Sequence, residues 1–460
     1  MNSFWKYYAG RETPPVPTIF VGGNHEASNY LWDLYFGGWA APSIYFLGFA
    51  GVVRFGGLRI AGLSGIYKGH DYRLGHYERP PLNDSQLRSI YHVREYDVTR
   101  LASLASLPSP SASCSLPSSL PSSLPAPPID VFLSHDWPRG VERHGDTASL
   151  LRTKPFFRGE VERNALGSPA GETLLHTLRP SYWFSAHLHV KFSAVVKHPA
   201  AAGGASSGGG GGGGVSLSSS APGPSVTRFL ALDKCLPGRQ FLQVVDFPDI
   251  SPSQGDAPVL EYDPQWLAVT RAYAPYLPLT HAGAFYPPGG VSVQPHLEWV
   301  TQRLSQQPNG SVIPTNFTPT APPHDPDRLH ARAPTTSSTV LNPQTATFLD
   351  LLDLPHSTFL RGGAPSPSPA LPPAASPSTW NSDSCPPDTF EDPDSIPADG
   401  DGDGDAQDEG PRGSYWQNGH GGKGDEQGDE ETRNNGAHAC KAADPNEIDL
   451  GDDPDGEDDS

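Results

Sequence analysis

Cysteine and long apolar runs are scarce in this sequence of 460 residues. The four cysteines, Cys114, Cys235, Cys385 and Cys440, stand singly, and no two have the spacing of a redox or zinc motif. This argues against a disulfide framework and a thiolate zinc site, and it is typical of a reducing compartment. No apolar run reaches the roughly 18 residues of a membrane helix, so we expect no membrane partner.

Hydrophobic residues are also few, at 36% of the chain, whereas proline (52) and glycine (49) together exceed a fifth of it. This composition predicts a folded part with long linkers and a disordered tail. Residues 381–460 contain 25 Asp and Glu against 4 Lys and Arg, while the other 380 residues contain 26 against 27. The nearly neutral body can therefore approach a polyanion, whereas the acidic tail is too polar to fold.

Composition also predicts how the chain is divided. We expect a first domain over residues 1–250, interrupted by low-complexity insertions at 101–128 and 200–225. A smaller, irregular C-terminal domain is predicted over 251–355, where aromatic and apolar residues are scattered. Residues 356–460 are rich in Pro and Ser and then acidic, which predicts a disordered tail.

Short apolar runs predict the strands, at residues 17–23, 43–48, 52–55, 58–63, 129–133, 182–185, 227–232 and 241–245. Gly56 and Gly57 separate two of these runs and predict a tight hairpin. We expect the last two runs to pair with each other. Helical patterns occur near residues 159–164 and 168–178.

Three of the predicted strands end in polar residues of the metal-ligand type. The first is followed by Asn24-His25-Glu26, the second by His135-Asp136, and the third by His187-Leu188-His189. Ligands gather at the carboxyl ends of strands in α/β folds. Imidazole and amide groups suit divalent Mn, Fe or Zn, and two such ions can clamp a phosphodiester and activate water.

Each motif alone also has a structural interpretation. Asn24 and His25 could belong to a turn, His135 could be a buried core histidine, and His-x-His on one strand often arises by chance. The three motifs in this order, each after an apolar strand, favour a metal centre.

Several longer strings resemble the lariat debranching enzymes, a family of metallophosphoesterases. They are GGNHEASN (22–29), GGWAAPSIYFLG (37–48), GLSGIYKGHDYRLGHYERPP (62–81), RSIYHVRE (88–95), FLSHDWPRG (132–140), NALGSPA (164–170), YWFSAHLHVKF (182–192) and FLALDKCLPGR (229–239). LEYDPQWL (260–267) and NPQTATF (342–348) resemble the C-terminal domain of that family. The resemblance covers roughly residues 1–350 outside the two insertions.

The resemblance implies roles for individual residues. Asn24, His135 and His187 should bind one metal ion and His189 the other, with His25 as the general acid. Residues 67–94, here called the recognition segment, resemble the loop that recognises the RNA branch. Its candidate RNA-binding residues are the basic and aromatic ones, Tyr67, Lys68, Tyr72, Arg73, Tyr77, Arg79, Arg88, Tyr91 and Arg94. Acidic neighbours nearly cancel their charge, so a solvated loop is the alternative.

The family's first motifs, (Asp or Cys)-x-His and a Gly-Asp whose carboxylate bridges both ions, do not precede Gly23. The residues before Gly23 contain no histidine and one acid, Glu12. We therefore expect those motifs upstream of Met1. We also expect the 460 residues alone to be poorly soluble and inactive, and a form extended upstream to bind two metal ions and to act.

The predicted fold is thus an α/β metallophosphoesterase β-sandwich flanked by helices and lacking its first strands. The implied function is hydrolysis of the 2′,5′-phosphodiester at the branch of excised intron lariat RNA by a hydroxide that two metal ions activate. This places the protein in the nucleus, in mRNA splicing and intron turnover. The alternatives are a catalytically dead RNA-binding or scaffold protein, and a metallophosphoesterase with another substrate.

Overall fold

The computed structural model describes residues 3–79, 82–107, 127–199, 224–247, 258–322 and 341–356. All of them belong to one of the two compact units into which the chain divides. Most of the two predicted insertions, and the predicted tail from residue 357 onward, lie outside the described residues.

In the described residues, ten strands form two sheets. The strands are β1 (Thr18–Phe20), β2 (Gly38–Ala41), β3 (Ile44–Phe46), β4 (Ala50–Phe55), β5 (Leu58–Leu63), β6 (Val131–Ser134), β7 (Tyr182–Ser185), β8 (Phe192–Lys197), β9 (Val226–Ala231) and β10 (Leu260–Tyr262). The smaller sheet has the order β1-β3-β2, and the larger has the order β10-β4-β5-β6-β7-β9-β8. Strands β5, β6, β7 and β9 are parallel, so their carboxyl ends lie along one edge.

The two sheets pack face to face. Tyr45 and Leu47 from the β3 region share a buried cluster with Ile60 of β5, Val131 of β6 and Tyr182 of β7. The approach is close at Gly62, where an added Cβ would lie 2.7 Å from the Val21 side chain. The described residues therefore form a β-sandwich.

The described residues also include eleven α-helices, several of which pack on the other face of the larger sheet. They are α1 (Phe4–Tyr8), α2 (Ser28–Leu31), α3 (Gly69–Tyr72), α4 (Asp84–Ser89), α5 (Glu95–Ser103), α6 (Thr147–Thr153), α7 (Arg158–Arg163), α8 (Pro169–Leu178), α9 (Pro264–Tyr273), α10 (Gln294–Ser305) and α11 (Pro343–Leu352). Leu101 of α5, Leu174 of α8 and Val269 of α9 are fully buried in one cluster with Phe132 and Trp183 of the sheet. This is the second hydrophobic layer of the fold.

Helix starts follow from local sequence. The Ser168 side chain accepts a hydrogen bond from the N–H of Gly171, and Pro169 opens α8. Asp263 caps α9 in the same way through the N–H of Trp266. A capping oxygen satisfies one of the N–H groups that a first helical turn leaves unpaired. Asp263 also binds the buried Arg59 of β5 at 2.9 Å, which fixes α9 to the larger sheet.

The C-terminal segment joins the same sandwich. Strand β10 pairs with β4, and the Gln344 side chain of α11 bonds to both backbone groups of Trp39 in β2. Residues 258–322 and 341–356 thus contribute one strand and three helices to the described fold.

The predicted hairpin is confirmed. Strands β4 and β5 pair over six residues, and both Gly56 and Gly57 have positive φ, which their lack of a side chain permits. The predicted helices near residues 159–164 and 168–178 are present as α7 and α8.

The predicted pairing of residues 227–232 with 241–245 is wrong. Strand β9 pairs with β8 instead, and residues 241–247 form no strand. Phe192, Ala194 and Val196 of β8 alternate between buried and more exposed neighbours, as a sheet requires, whereas Leu242 and Val244 remain largely exposed.

The ordered structure also extends into the stretch where the first insertion was expected to begin. Helix α5 continues to Ser103, and a short 3-10 helix follows at Leu104–Ser106. Leu101, Leu104 and Leu107 are buried in the core. Leu101 and Leu104 share one face of this helical segment, and Leu107 follows it directly, so their burial makes residues 101–107 part of the fold.

The protein therefore has a mixed α/β fold in which a β-sandwich is flanked by helices, as predicted. Within the described ranges no helix combines the length and apolar character needed to cross a bilayer.

Candidate metal centre and RNA interface

The three predicted motifs meet at one edge of the sandwich. His135 follows β6 and His187 follows β7, which are parallel neighbours. The chain after β1 reaches the same edge because Gly22 accepts the N–H of Gly65 at 2.8 Å and donates to Ser64 Oγ at 3.0 Å. We call Asn24, His135, His187 and His189 the ligand rim.

Asn24 and His135 are in direct contact. The side-chain oxygen of Asn24 lies 3.0 Å from Nε2 of His135. The His135 ring fills the space beside Gly23, where an added Cβ would lie 2.6 Å from ring carbon Cε1. Gly23 is therefore required by the position of His135, and the two motifs depend on each other despite their distance in sequence.

His187 completes this group. Its ring centroid lies 4.8 Å from that of His135, and its Nε2 lies 3.8 Å from Asp136 Oδ1. His187 and His189 both have positive φ, at 57° and 52°. Two non-glycine residues in this disfavoured region within three positions indicate a local backbone held by its surroundings, as at many functional sites.

A buried polar layer lies beneath the ligand rim. Ser134 Oγ donates to the carbonyl of Asp136 at 2.6 Å and lies 2.9 Å from Ser185 Oγ. Trp183 donates to Ser134 at 2.9 Å, and Trp137 donates to the carbonyl of Ala186 at 2.9 Å. These bonds join the carboxyl ends of β6 and β7. They thereby fix the backbone positions from which His135 and His187 extend.

The electrostatics fit a cation site. Burial, with the nearby His187, His25 and His189, lowers the pKa of His135 to about 3. A neutral imidazole has the lone pair that a metal ligand must supply. Burial raises the pKa of Asp136 to about 7, against the opposing effects of the Tyr67 N–H and Lys68.

His25 and Glu26 are exposed beside the rim. The charge of His25 contributes to lowering the pKa of both His135 and His189, after burial in each case. His25 is thus close to the candidate ligands and open to solvent, a position from which it could donate a proton to a substrate. Although the residue as a whole is exposed, partial desolvation of its carboxyl group raises the pKa of Glu26, and Gly23 and His25 oppose this shift.

The recognition segment is attached to the rim through Asp136, whose Oδ2 accepts the N–H of Tyr67 at 2.7 Å. Tyr67 and Tyr72 are half-buried, with ring centroids 5.2 Å apart, and burial raises the pKa of Tyr72 to about 12. Lys68, Arg73 and Arg88 are exposed, and Tyr91 is half-buried. These groups can meet a ligand at the surface.

Arg94 does not fit the predicted RNA contact. It is fully buried, binds Glu78 at 2.6 Å and donates to the carbonyls of Asp71 and Ser89. A cation enclosed in this way cannot reach a phosphate. Its role in the structure is to hold the recognition segment together.

Tyr77 and Arg79 are also engaged within the protein. The Tyr77 ring stacks on His281 with centroids 3.8 Å apart, and Arg79 donates to the carbonyls of His76, Glu78 and Leu279. Both remain half-buried. His281 and Leu279 of the C-terminal segment therefore contact the recognition segment directly.

Sequence reasoning missed two features of the site. The first is the link from Tyr67 through Asp136 to His187, which no sequence spacing indicates. The second is a group of metal-ligand type at His70, Asp71 and His92, whose ligand atoms lie within 4.8 Å of one another in the described part of the chain. His92 bonds to Asp71 at 2.6 Å, and Arg94 lies 3.8 Å from the same carboxylate.

Fold and site together define a class. His135 and His187 at the ends of two adjacent parallel strands, with Asn24 brought to them from the other sheet of an α/β sandwich, are an arrangement consistent with a metallophosphoesterase. Residues 224–357 match the family model described as "Lariat debranching enzyme, C-terminal domain".

Similar proteins are found across eukaryotes. The chain is 46% identical to a lariat debranching enzyme of Arabidopsis thaliana, over 77% of this chain and 72% of that protein. It is 40% identical to one of Schizosaccharomyces pombe, over 78% and 85% respectively. For the human lariat debranching enzyme the identity is 42%, over 77% of this chain and 59% of the relative. The chain belongs to the lariat debranching enzyme family.

Proposed function

We propose that this protein hydrolyses the 2′,5′-phosphodiester at the branch of lariat intron RNA, and that it acts in the nucleus during intron turnover after splicing. The meeting of Asn24, His135 and His187 at one strand edge, in a chain of this family, carries the proposal. A branched RNA is the substrate implied by the names of the relatives.

The residues present fit divalent metal ions. Asn24, His135 and His187 would hold one ion, and His189 would contribute to a second. The neutral imidazole of His135 and the amide oxygen of Asn24 are donors that suit Mn, Fe or Zn. When bound, such ions neutralise phosphate charge and activate water.

The other residues act on the RNA itself. His25 is exposed beside the ligands and would protonate the departing 2′-oxygen. Lys68, Arg73 and Arg88 would contact phosphates, and Tyr67, Tyr72 and Tyr91 would contact bases near the branch. Asp136, which contacts both, would fix the position of His187 relative to the recognition segment.

The direct test is cleavage of a branched RNA by the purified protein extended upstream of Met1, which is the form expected to act, with a linear 3′,5′-linked RNA of equal length as the control substrate. We expect this form to cleave the branched RNA alone, to lose cleavage after chelation, and to recover it with Mn, Fe or Zn. If the protein binds the branched RNA but does not cleave it with Mn, Fe or Zn, the catalytically dead RNA-binding alternative is favoured. Equal cleavage of unrelated phosphoesters would favour another substrate.

Variants test the residue roles. His135→Ala and His187→Ala should lose activity and bound metal while keeping the fold. His25→Ala should keep the metal but slow cleavage by ~10²–10⁴-fold, which is the usual effect of removing a general acid. His356→Ala is the matched control, because this exposed histidine bonds only to Asp350 among the contacts described. Imaging of the tagged protein tests the nuclear location.

A further inference from the structure

A second group of charged residues lies beside the ligand rim. Lys154 follows α6, and Lys234 and Arg239 lie in the loop after β9. Asp233 pairs with Arg239 at 2.8 Å. We call Lys154, Lys234, Arg239 and Asp233 the basic patch. Three cations and one anion give it a positive charge.

The basic patch is continuous with the metal centre. Arg239 donates to the carbonyl of His189 at 3.3 Å. Lys154 is placed beside the same loop by α6, because Gly145, which precedes α6, bridges to Ala194 of β8, the neighbour of β9. Burial lowers the pKa of Lys154, the charges of Arg239 and Lys234 add to this shift, and Asp233 opposes it.

The patch lies on the side of the rim away from the recognition segment. The parallel strands follow the order β5-β6-β7-β9, and their carboxyl ends share one edge. Tyr67 follows β5 at one end of this series, and Lys234 follows β9 at the other. His135 and His187 lie between them. A polymer bound at the rim would therefore extend over both flanks.

An exposed aromatic ring adjoins the basic patch. Phe156 is 71% exposed, and the ammonium group of Lys154 lies 5.7 Å from its ring centroid. The neighbouring Phe157 is buried and packs in the core, so the ring of Phe156 is not needed there. Cations beside an exposed aromatic ring are the combination that binds single-stranded nucleic acid, with phosphates on the cations and a base on the ring.

We propose that the basic patch and Phe156 bind the single-stranded RNA arm that leaves the branch on the side away from the recognition segment. Lys154 and Lys234 contact its phosphates, and Phe156 stacks on one of its bases. This inference rests on the proposed function. It assigns a binding surface to residues that the metal centre and the recognition segment do not use.

The test compares two branched RNAs, one trimmed to the nucleotides at the branch and one with long arms. Affinities are measured by fluorescence anisotropy in chelator, so that no cleavage occurs. The wild type should bind the long-armed RNA more tightly. Lys154→Ala/Lys234→Ala and Phe156→Ala should each reduce this preference by about tenfold, and the double variant should lower the salt dependence by roughly 0.7 per lost phosphate contact.

Controls separate charge, stacking and folding. Lys197→Ala removes one lysine charge from an exposed residue at the opposite edge of the sheet, where it pairs with Val226, and should leave the preference unchanged. Phe156→Tyr should keep the preference, whereas Phe156→Leu should lose it. Phe156 is exposed, so these changes do not threaten the core.

The outcomes are distinct from those for catalysis. An unchanged preference in the patch variants, or an equal loss of affinity for both RNAs, would overturn the assignment of the arm. A wild type that binds both RNAs equally would overturn it as well. A wild type that cannot cut branched RNA with any metal, while the patch variants still lose the preference, would count against the proposed function and support the basic patch.

Discussion

The carboxylate of Asp136 accepts a hydrogen bond from the backbone N–H of Tyr67 at 2.7 Å. Its other oxygen lies 3.8 Å from Nε2 of His187. One side chain thus joins the first residue of the recognition segment to a candidate metal ligand. Mutation of a side chain that contacts and orients a metal ligand typically lowers metal affinity or activity by ~10–100-fold.

Replacing Asp136 with Asn should therefore impair the centre without unfolding the protein. The amide keeps an acceptor for Tyr67 but removes the charge near His187, so we expect a ~10–100-fold loss in metal affinity or kcat/KM. Titration of metal binding and steady-state cleavage of branched RNA measure the two effects. Asp130→Asn is the matched control, since Asp130 accepts the N–H of Arg59 at 2.7 Å at the opposite end of β6. Equal losses in both variants would contradict the role of Asp136.

Gly23→Ala tests the contact between two motifs. The new Cβ would lie 2.6 Å from Cε1 of the His135 ring, which is closer than real contacts allow, so the ring must move. We expect loss of bound metal and of cleavage with little change in the melting temperature. In Gly159→Ala, the control, the new Cβ meets only the end of the flexible Arg163 side chain at 3.2 Å. A Gly23→Ala protein with full metal content would show that His135 is not a ligand.

Local sequence was sufficient to predict that His135 and His187 lie close together. Each follows a short apolar strand, and the parallel neighbours β6 and β7 bring their carboxyl ends to one edge. Asn24 follows β1 of the other sheet, so its contact with His135 depends on how the two sheets pack. The hairpin at Gly56 and Gly57 was likewise predictable, because its turn requires positive φ at both positions.

Contacts between distant residues were not predictable in this way. Arg94 lies among surface-type charges in the sequence, and its burial depends on Glu78 and on the carbonyls of Asp71 and Ser89. Residues 192–197 form β8, which pairs with β9, whereas residues 241–245 are equally apolar but form no strand and leave Leu242 and Val244 largely exposed. Pattern alone cannot decide which of two apolar runs finds a strand partner.

The burial of Arg94 predicts a large effect on stability. Arg94→Met should cost ~3–5 kcal/mol of the free energy of unfolding, because it leaves the Glu78 carboxylate buried without its cation. Arg94→Met/Glu78→Gln removes that charge too and should recover part of the loss. Urea unfolding at neutral pH measures both. Exposed Arg88→Met is the control and should change stability by less than ~0.5 kcal/mol. A double variant no more stable than Arg94→Met would show that the unpaired carboxylate is not the cause.

His198 lies in a second histidine group, remote from the ligand rim at the end of β8. Its Nε2 bonds to Thr227 Oγ1 at 2.7 Å, and the Thr227 hydroxyl in turn donates to the carbonyl of Pro180 at 2.6 Å. Since that hydroxyl proton is used, His198 must donate from Nε2. Burial lowers the pKa of His198 to about 4, and Arg179, His176 and His144 add to this shift.

The free energy of unfolding should therefore decrease as the pH is lowered, because of His198. The folded state keeps this ring neutral down to about pH 4, whereas the unfolded state protonates it near pH 6.5, so the unfolded state binds more protons in between. The contribution is fully present above pH 6.5 and is lost as the pH falls towards 4. His198→Gln keeps a donor for Thr227 but does not titrate, so its free energy of unfolding should depend less steeply on pH across this window. Urea unfolding of both proteins from pH 4 to 7 measures the difference, and His356→Gln controls for loss of an exposed histidine. Parallel pH curves for His198→Gln and the wild type would mean that His198 is protonated equally in both states.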